Sequence, residues 1–278
     1  MKFAYVVLAL MTMMSGALAA NQPDPAADLK AFQGYFQHRF PKVPLSAYVD
    51  GPYTFSESER AQWKQIMEFP PYQFALDSGK TLFEAKFPNG KDYASCFPNG
   101  GIGIAQDYPK FDPKTGQVVT LGSAINQCRV ANGLDTLKLT KGDMADLLAY
   151  MTYTSRGKPI DVVVPDDPRA LAAYQAGKEY FYSRRGQLNF SCSSCHVQEA
   201  GKHLRGNVLA PALGMTASFP IYRSKWGDMG TLVRRFIGCD KKVKSAPDKP
   251  DSATYRDLAY FLTYMSNGLP IAGPGARP

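Results

Sequence analysis

The chain has 278 residues and a formal charge of +8, long enough for one large or two modest domains with real cores. The positive balance favours anionic ligands or acidic partners through long-range attraction. No nucleic-acid motif accompanies it and no segment after Ala20 could span a bilayer, so the expectation is no nucleic-acid partner and no membrane span in the mature chain.

Residues 1–20 read as a secretory signal peptide. Lys2 supplies a positive start, Val6 to Met14 is apolar except for Thr12, and Ala17-Leu18-Ala19 gives an A-x-A cleavage signal before Asn21-Gln22-Pro23. The run is too short for a retained anchor. Cleavage is expected near Ala19 or Ala20, with export to the oxidising periplasm. Residues 21–70 form an N-terminal extension rich in proline and aromatics. A short helix is expected around Ser58 to Met67, with no evident chemistry. His38 reads as an ordinary, partly exposed histidine.

From residue 71 the sequence repeats. Gly79-Lys80-Thr81-Leu82-Phe83 resembles Gly177-Lys178-Glu179-Tyr180-Phe181, and Ser95-Cys96 resembles Ser191-Cys192. Cys128 in Ile125-Asn126-Gln127-Cys128-Arg129 corresponds to Cys239 in Phe236-Ile237-Gly238-Cys239-Asp240. Asp146-Leu147, Thr152-Tyr153, Gly157, Pro159 and Ile160 recur as Asp257-Leu258, Thr263-Tyr264, Gly268, Pro270 and Ile271, all 111 positions later. So many matches in one order imply two copies of one domain, over residues 71–160 and 161–278.

Each copy is expected to start and end with a helix. In the second, Asp167 is a candidate N-cap, Pro168 fits the first turn, and Leu171, Tyr174 and Phe181 share a face. The first copy's closing helix has Thr140 and Asp143 near a capping box, then Met144, Leu147, Leu148 and Met151 at helical spacing before Gly157 and Pro159. Tyr255, Leu258, Phe261, Leu262 and Met265 do the same before Gly268. The middles, rich in Gly, Pro and Asn, read as loops.

Within the second copy lies Cys192-Ser193-Ser194-Cys195-His196, and C-x-x-C-H reads as a c-type haem attachment site. Two thiols at this spacing can form thioethers to the haem vinyl groups, and the adjacent imidazole reaches the iron. A helix, this motif, an irregular middle and a closing helix resemble the class I cytochrome c domain. That resemblance implies a mainly α fold in which Gly177 packs against an aromatic of the last helix, Tyr260 or Tyr264. Aligned on Cys96, the first copy has Asn99 and Gly100 where Cys195 and His196 would stand. It is therefore expected to be a degenerate, haem-free domain, leaving one covalently bound haem c in the chain.

The five cysteines then need an account in an oxidising compartment. Cys192 and Cys195 go to haem, and of Cys96, Cys128 and Cys239 two can pair. If Cys239 approaches the haem of its copy, Cys128 approaches the centre of the other, where Cys96 waits. A Cys96–Cys128 disulfide would staple the domain that has lost its haem, contributing roughly 3–4 kcal/mol for a loop of this size. Cys239 is left over, with Arg234, Arg235, Lys241 and Lys242 around it in sequence, a field that favours thiolate. His196 supplies one axial ligand. Met215, Met229, His203 and Cys239 are candidates for the other.

Here the sequence resembles the SoxA family, the catalytic subunits of SoxAX cytochrome complexes of sulfur-oxidising bacteria, in its single-haem form. The likeness covers the duplicated domain, Cys-Ser-Ser-Cys-His and Arg234-Arg235-Phe236-Ile237-Gly238-Cys239. It implies His196/Cys239 axial ligation, a sulfur adduct on Cys239, and Arg235 near the substrate. It also implies a heterodimer with a SoxX-type cytochrome, and L-cysteine S-thiosulfotransferase activity joining thiosulfate to a cysteine of a SoxYZ-type carrier. A thiosulfate dehydrogenase forming tetrathionate and a plain electron-transfer cytochrome with Met215 or Met229 on the iron are the alternatives.

Overall fold

The Asp24 carboxylate accepts a hydrogen bond from the Ala27 N–H and Pro25 occupies the first turn, which starts helix α1 (Pro25–Arg39). This helix lies in the extension and is absent from the expectations drawn from sequence. It puts Phe32 and Phe36 into the core, with Phe36 edge-on to Tyr48 at 5.6 Å. Ser56 caps α2 (Glu57–Ile66), close to the helix expected at Ser58 to Met67. The computed structural model describes residues 23–204 and 206–277, so the expected signal peptide over residues 1–20 lies outside the described residues.

Beyond the extension the fold is mainly helical, and one order of elements occurs twice. First come α3 (Gln73–Glu84), the antiparallel hairpin β1 (Lys110–Asp112) and β2 (Gln117–Val119), α4 (Leu121–Ala131) and α5 (Asp143–Tyr153). Then follow α6 (Pro168–Tyr182), the small hairpin β3 (His203–Leu204) and β4 (Asn207–Val208), and the hairpin β5 (Ile221–Arg223) and β6 (Asp228–Gly230). Last are α7 (Leu232–Lys242), α8 (Ala253–Tyr264) and β7 (Gly275–Arg277). Strand β7 pairs parallel to β5, with Tyr222 opposite Ala276. The middles expected as loops thus hold one hairpin and a helix in the first run and two hairpins and a helix in the second. Strands of three residues are too short for an alternating pattern to stand out. The helices that follow are started by Thr120 and Thr231, whose side chains accept from Ser123 N and Arg234 N.

The terminal helices of each run, α3 with α5 and α6 with α8, meet at a glycine. A Cβ on Gly79 would lie 2.0 Å from the Asp146 carbonyl oxygen and 3.0 Å from Tyr150 Cβ; one on Gly177 would lie 2.0 Å from Asp257 O and 3.0 Å from Phe261 Cβ. The aromatic against Gly177 is therefore Phe261, where Tyr260 or Tyr264 was expected. Tyr260 instead donates to Val163 O, and Tyr264 sits edge-on to Tyr174. A second correction concerns α5. Its cap is Gly142 at φ 67°, so Thr140 stands too early for a capping box, and its carbonyl accepts the Thr231 N–H from the α7 cap.

The core around Tyr174, Phe181, Tyr255, Leu258 and Phe261 includes Phe32, Phe36 and Tyr48 of the extension. Asp28 of α1 accepts from Tyr174 Oη at 2.8 Å and pairs with Lys178 Nζ at 2.6 Å, tying the extension to α6. A separate core around Phe83, Tyr93, Ile125, Leu147 and Met151 serves the α3–α5 region.

Candidate functional site

The turn that carries Cys192, Cys195 and His196 is built by its serines. Ser191 Oγ accepts from Ser194 N at 3.0 Å and Ser194 Oγ accepts from Ser191 N at 3.2 Å, a reciprocal cap. From Ser194 to Gln198 the turn widens to a π-helical one, with Glu199 N–H bonded to Ser194 O at 3.1 Å. Such single turns recur at functional sites because they re-aim side chains without ending the helix. The far end is held by the extension. Arg39 donates to Val197 O and, at 2.8 Å, to Gln198 O, satisfying carbonyls that the turn leaves open.

His196 Nδ1 lies 2.8 Å from Ala210 O. A carbonyl only accepts, so Nδ1 carries a proton, which leaves Nε2 for the cleft. This is the usual way a ligating imidazole is oriented.

Helix α7 supplies the opposite wall. Arg235 and Cys239 are four residues apart and therefore share a face. Both line one cleft with Cys192, His196 and Met215, walled by Phe181, Phe236, Leu258 and Leu262. Burial alone would raise the Cys239 thiol. The Arg235 guanidinium, a hydrogen bond donated by the His196 ring and the Lys242 ammonium outweigh it and bring the pKa down to about 6. Burial instead pushes Cys192 up to about 12, and Cys195 up as well. Of the three cysteines outside the disulfide, Cys239 alone is favoured as thiolate, the form that is nucleophile and metal ligand.

Of the four cations adjacent in sequence, Arg235 and Lys242 act on Cys239. Arg234 points away, pairing with Asp228 at 2.7 Å and stacking over Trp226 at 4.3 Å. The charge of Cys239 is felt instead by Arg235, Lys242 and Arg223, the last brought in by β5. No local sequence signal marks Arg223 or Arg39, because both reach the site across the fold.

Among the other candidates, Met215 lines the cleft. Met229 is buried in a third core with Tyr72, Leu76 and Ala145 and does not line that cleft. His203 on β3 and His38 in the last turn of α1 are exposed. Cys96 and Cys128 form a disulfide with Cα atoms 5.8 Å apart. Asn99 and Gly100 adopt left-handed conformations, φ 50° and 59°, in a tight turn beside it. Tyr93 fills the space behind, stacked on Phe83 at 6.1 Å and edge-on to Phe87 at 4.9 Å.

These residues fit a c-type haem. The cleft has apolar walls, Cys192 of the C-x-x-C pair, and the oriented His196 imidazole together with Cys239. Among the described residues no cluster of three or more His, Cys, Asp or Glu could hold a bare metal ion. A pair of axial donors suffices when a porphyrin provides the remaining ligands.

Comparison with known proteins agrees. The cytochrome c domain model of the SoxA/TsdA family matches residues 78–160. The L-cysteine S-thiosulfotransferase subunit SoxA of Allochromatium vinosum is 48% identical over 99% of this chain and 97% of its own length. The subunit of the same name from Chlorobaculum tepidum is 51% identical, covering 90% of this chain and 87% of its own. The crystal structure of SoxXA from P. pantotrophus superimposes with a TM-score of 0.73 at 28% identity, covering 81% of this chain and 86% of that one.

Proposed function

Since the chain belongs to the SoxA family, we propose that it is the SoxA subunit of an L-cysteine S-thiosulfotransferase, joining thiosulfate to a cysteine of a SoxYZ-type carrier protein. The observation that carries this reading is the placement of Cys239 with Arg235 and His196 in one cleft, where those groups favour its thiolate form. An exported protein with a SoxX-type cytochrome partner follows from the family and from the signal peptide in the sequence. Among the described residues no helix is long and apolar enough to cross a membrane.

In this reading Cys192, Cys195, His196 and Cys239 of residues 161–278 would hold one haem c. Residues 71–160 are the haem-free counterpart, which the disulfide and Tyr93 fill instead. When bound, haem c would supply a one-electron acceptor that passes electrons to a partner cytochrome.

The protein's own residues divide the chemistry into two steps. Arg235 offers a planar, permanently charged fork for the sulfonate oxygens of thiosulfate. In the first step the Cys239 thiolate and the terminal sulfur of thiosulfate form an S–S bond, and two electrons leave for the cytochrome chain. In the second, a carrier thiolate attacks the sulfur bound to Cys239. The Cys239 thiolate departs, and the carrier keeps an S-thiosulfonate. The Arg235 and Lys242 charges stabilise the departing thiolate just as they lower its pKa.

Cys239→Met tests this. Thioether attachment lies elsewhere, so the variant should keep its covalent haem, while a thioether side chain can neither attack nor hold sulfur. Conjugation of thiosulfate to the carrier at the wild-type rate would refute the mechanism. The second reading, an electron-transfer cytochrome, has one observation in its favour, the place of Met215 in the same cleft. The ferric absorption spectrum separates the two, because thiolate and thioether ligation differ in it.

A further inference from the structure

The residue after Cys239 is the one carboxylate that is buried among the described residues, Asp240, 4% exposed. It accepts from Tyr180 Oη of α6 at 2.9 Å and from Tyr255 Oη of α8 at 2.6 Å. Arg185, just past α6, approaches it to 3.9 Å and lies with its guanidinium 3.5 Å above the Tyr180 ring. The same Arg185 is 3.6 Å from Cys192 Sγ. One polar cluster thereby connects α7, α6, α8 and the haem-attachment turn.

We infer that Asp240 is a positioning residue that fixes the register of α7 and so holds Cys239 opposite His196. This rests on the reading of Cys239 as iron ligand and sulfur carrier. Helix α7 buries only Phe236 and Asp240, one turn apart. Leu232, Val233 and Ile237 pack half-buried beside Phe236, but apolar contacts are non-directional and leave the helix free to roll. A bond from Asp240 to each of two flanking helices removes that freedom, and Cys239 turns with it as the adjacent residue of a rigid helix. A buried carboxylate is a poor choice for stability alone, since an apolar residue of similar size there is often neutral or better. Its use is directional: two phenols of fixed position define where it sits. Burial, then the bond to Asp240, raises both tyrosines above their ordinary range, so both stay protonated as donors. In the haem-free region the residue following Cys128 is Arg129, which donates to Tyr93 Oη at 2.8 Å. The carboxylate accompanies the ligand cysteine only where the C-x-x-C-H motif is present.

The test uses the full mature holoprotein with four changes: Asp240→Ala, Asp240→Asn, the double variant Tyr180→Phe/Tyr255→Phe, and Cys239→Met as reference. Covalent haem by mass, the ferric spectrum and thiosulfate conjugation are measured on each. Asp240→Ala should keep its covalent haem, show a mixture of ligation states in place of uniform thiolate, and conjugate at least about ten-fold more slowly. Asp240→Asn keeps an oxygen that can accept from both phenols and should retain the thiolate spectrum. The tyrosine double variant should resemble Asp240→Ala, and it decides the matter if Asp240→Ala does not fold. A lower melting temperature with wild-type spectrum and rate, in Asp240→Ala or in the double variant, would overturn the inference and leave Asp240 a structural residue. So would an Asp240→Asn variant as impaired as Asp240→Ala, since charge and not anchoring would then be what matters. If Cys239→Met itself keeps the wild-type spectrum, the reading of Cys239 fails whatever Asp240 does.

Discussion

Gly177→Ala should destabilise the protein although alanine is the better helix former. In the middle of α6 the change returns about 1 kcal/mol of helix propensity. Against this, the new methyl would lie 2.0 Å from the Asp257 carbonyl oxygen and 2.6 Å from its carbon. A carbon and a carbonyl oxygen pack at roughly 3.3 Å or more, so α6 and α8 must part by about 1 Å. The obstacle is backbone, which cannot rotate aside. Overpacking of this kind costs about 1–3 kcal/mol and sometimes more, and separation also loosens Tyr174 and Phe181 against Phe261. The net expectation is a loss of up to about 2 kcal/mol, or a melting temperature lower by up to about 8 °C. Gly79→Ala, with the same 2.0 Å approach to Asp146 O, should lose as much. Gly34→Ala in α1, where nothing lies within 4 Å, should gain a few tenths to 1 kcal/mol. Urea and thermal unfolding of the three variants decide the matter, and the haem spectrum should change for Gly177→Ala alone. A Gly177→Ala protein as stable as Gly34→Ala would refute the close helix contact.

Replacing Cys96 and Cys128 by serine should cost roughly 3–4 kcal/mol in unfolding experiments while the haem spectrum stays as it was; peptide mapping without reductant should recover the two joined. Asp257 is raised to about 6 by burial, with Arg256 only partly offsetting it. Its protonated form stabilises the fold below its unfolded pKa of about 4, and that contribution is lost as the pH rises through about 6. Asp257→Asn should therefore stabilise the protein at pH 7 by about 1–3 kcal/mol and flatten the pH dependence of unfolding between about 4 and 6. Arg235→Lys keeps a positive charge but loses the two-pronged fork, so conjugation should slow by about ten-fold or more with an unchanged haem spectrum. A rate equal to wild type would show that charge alone suffices at that position.

Several elements were readable before any coordinate. The Asp167–Pro168 cap starts α6, and Leu147, Met151, Leu258 and Met265 are buried at the spacing that suggested them. Helix α1 was equally legible, since Asp24–Pro25 has the same form, but its apolar positions are sparse and the α6 residues it meets lie more than 140 residues away, as Tyr174 does from Asp28. The short hairpins were not legible, because three residues give too little pattern.

The sequence by itself determined the chemistry that is written in covalent neighbours: a C-x-x-C-H motif, a cysteine left over from an odd count, and an arginine one helical turn before it. These depend on spacing along the chain, which folding does not alter. Only the tertiary structure decided which charges reach Cys239, turning Arg234 to Asp228 and bringing Arg223 from β5. It placed Met229 in a separate core, set Phe261 against Gly177, and gave the extension's Arg39 the carbonyls of the His196 turn. Those outcomes depend on distances of a few ångströms between segments far apart in sequence. Electrostatic and packing forces act through space, so no local pattern records them.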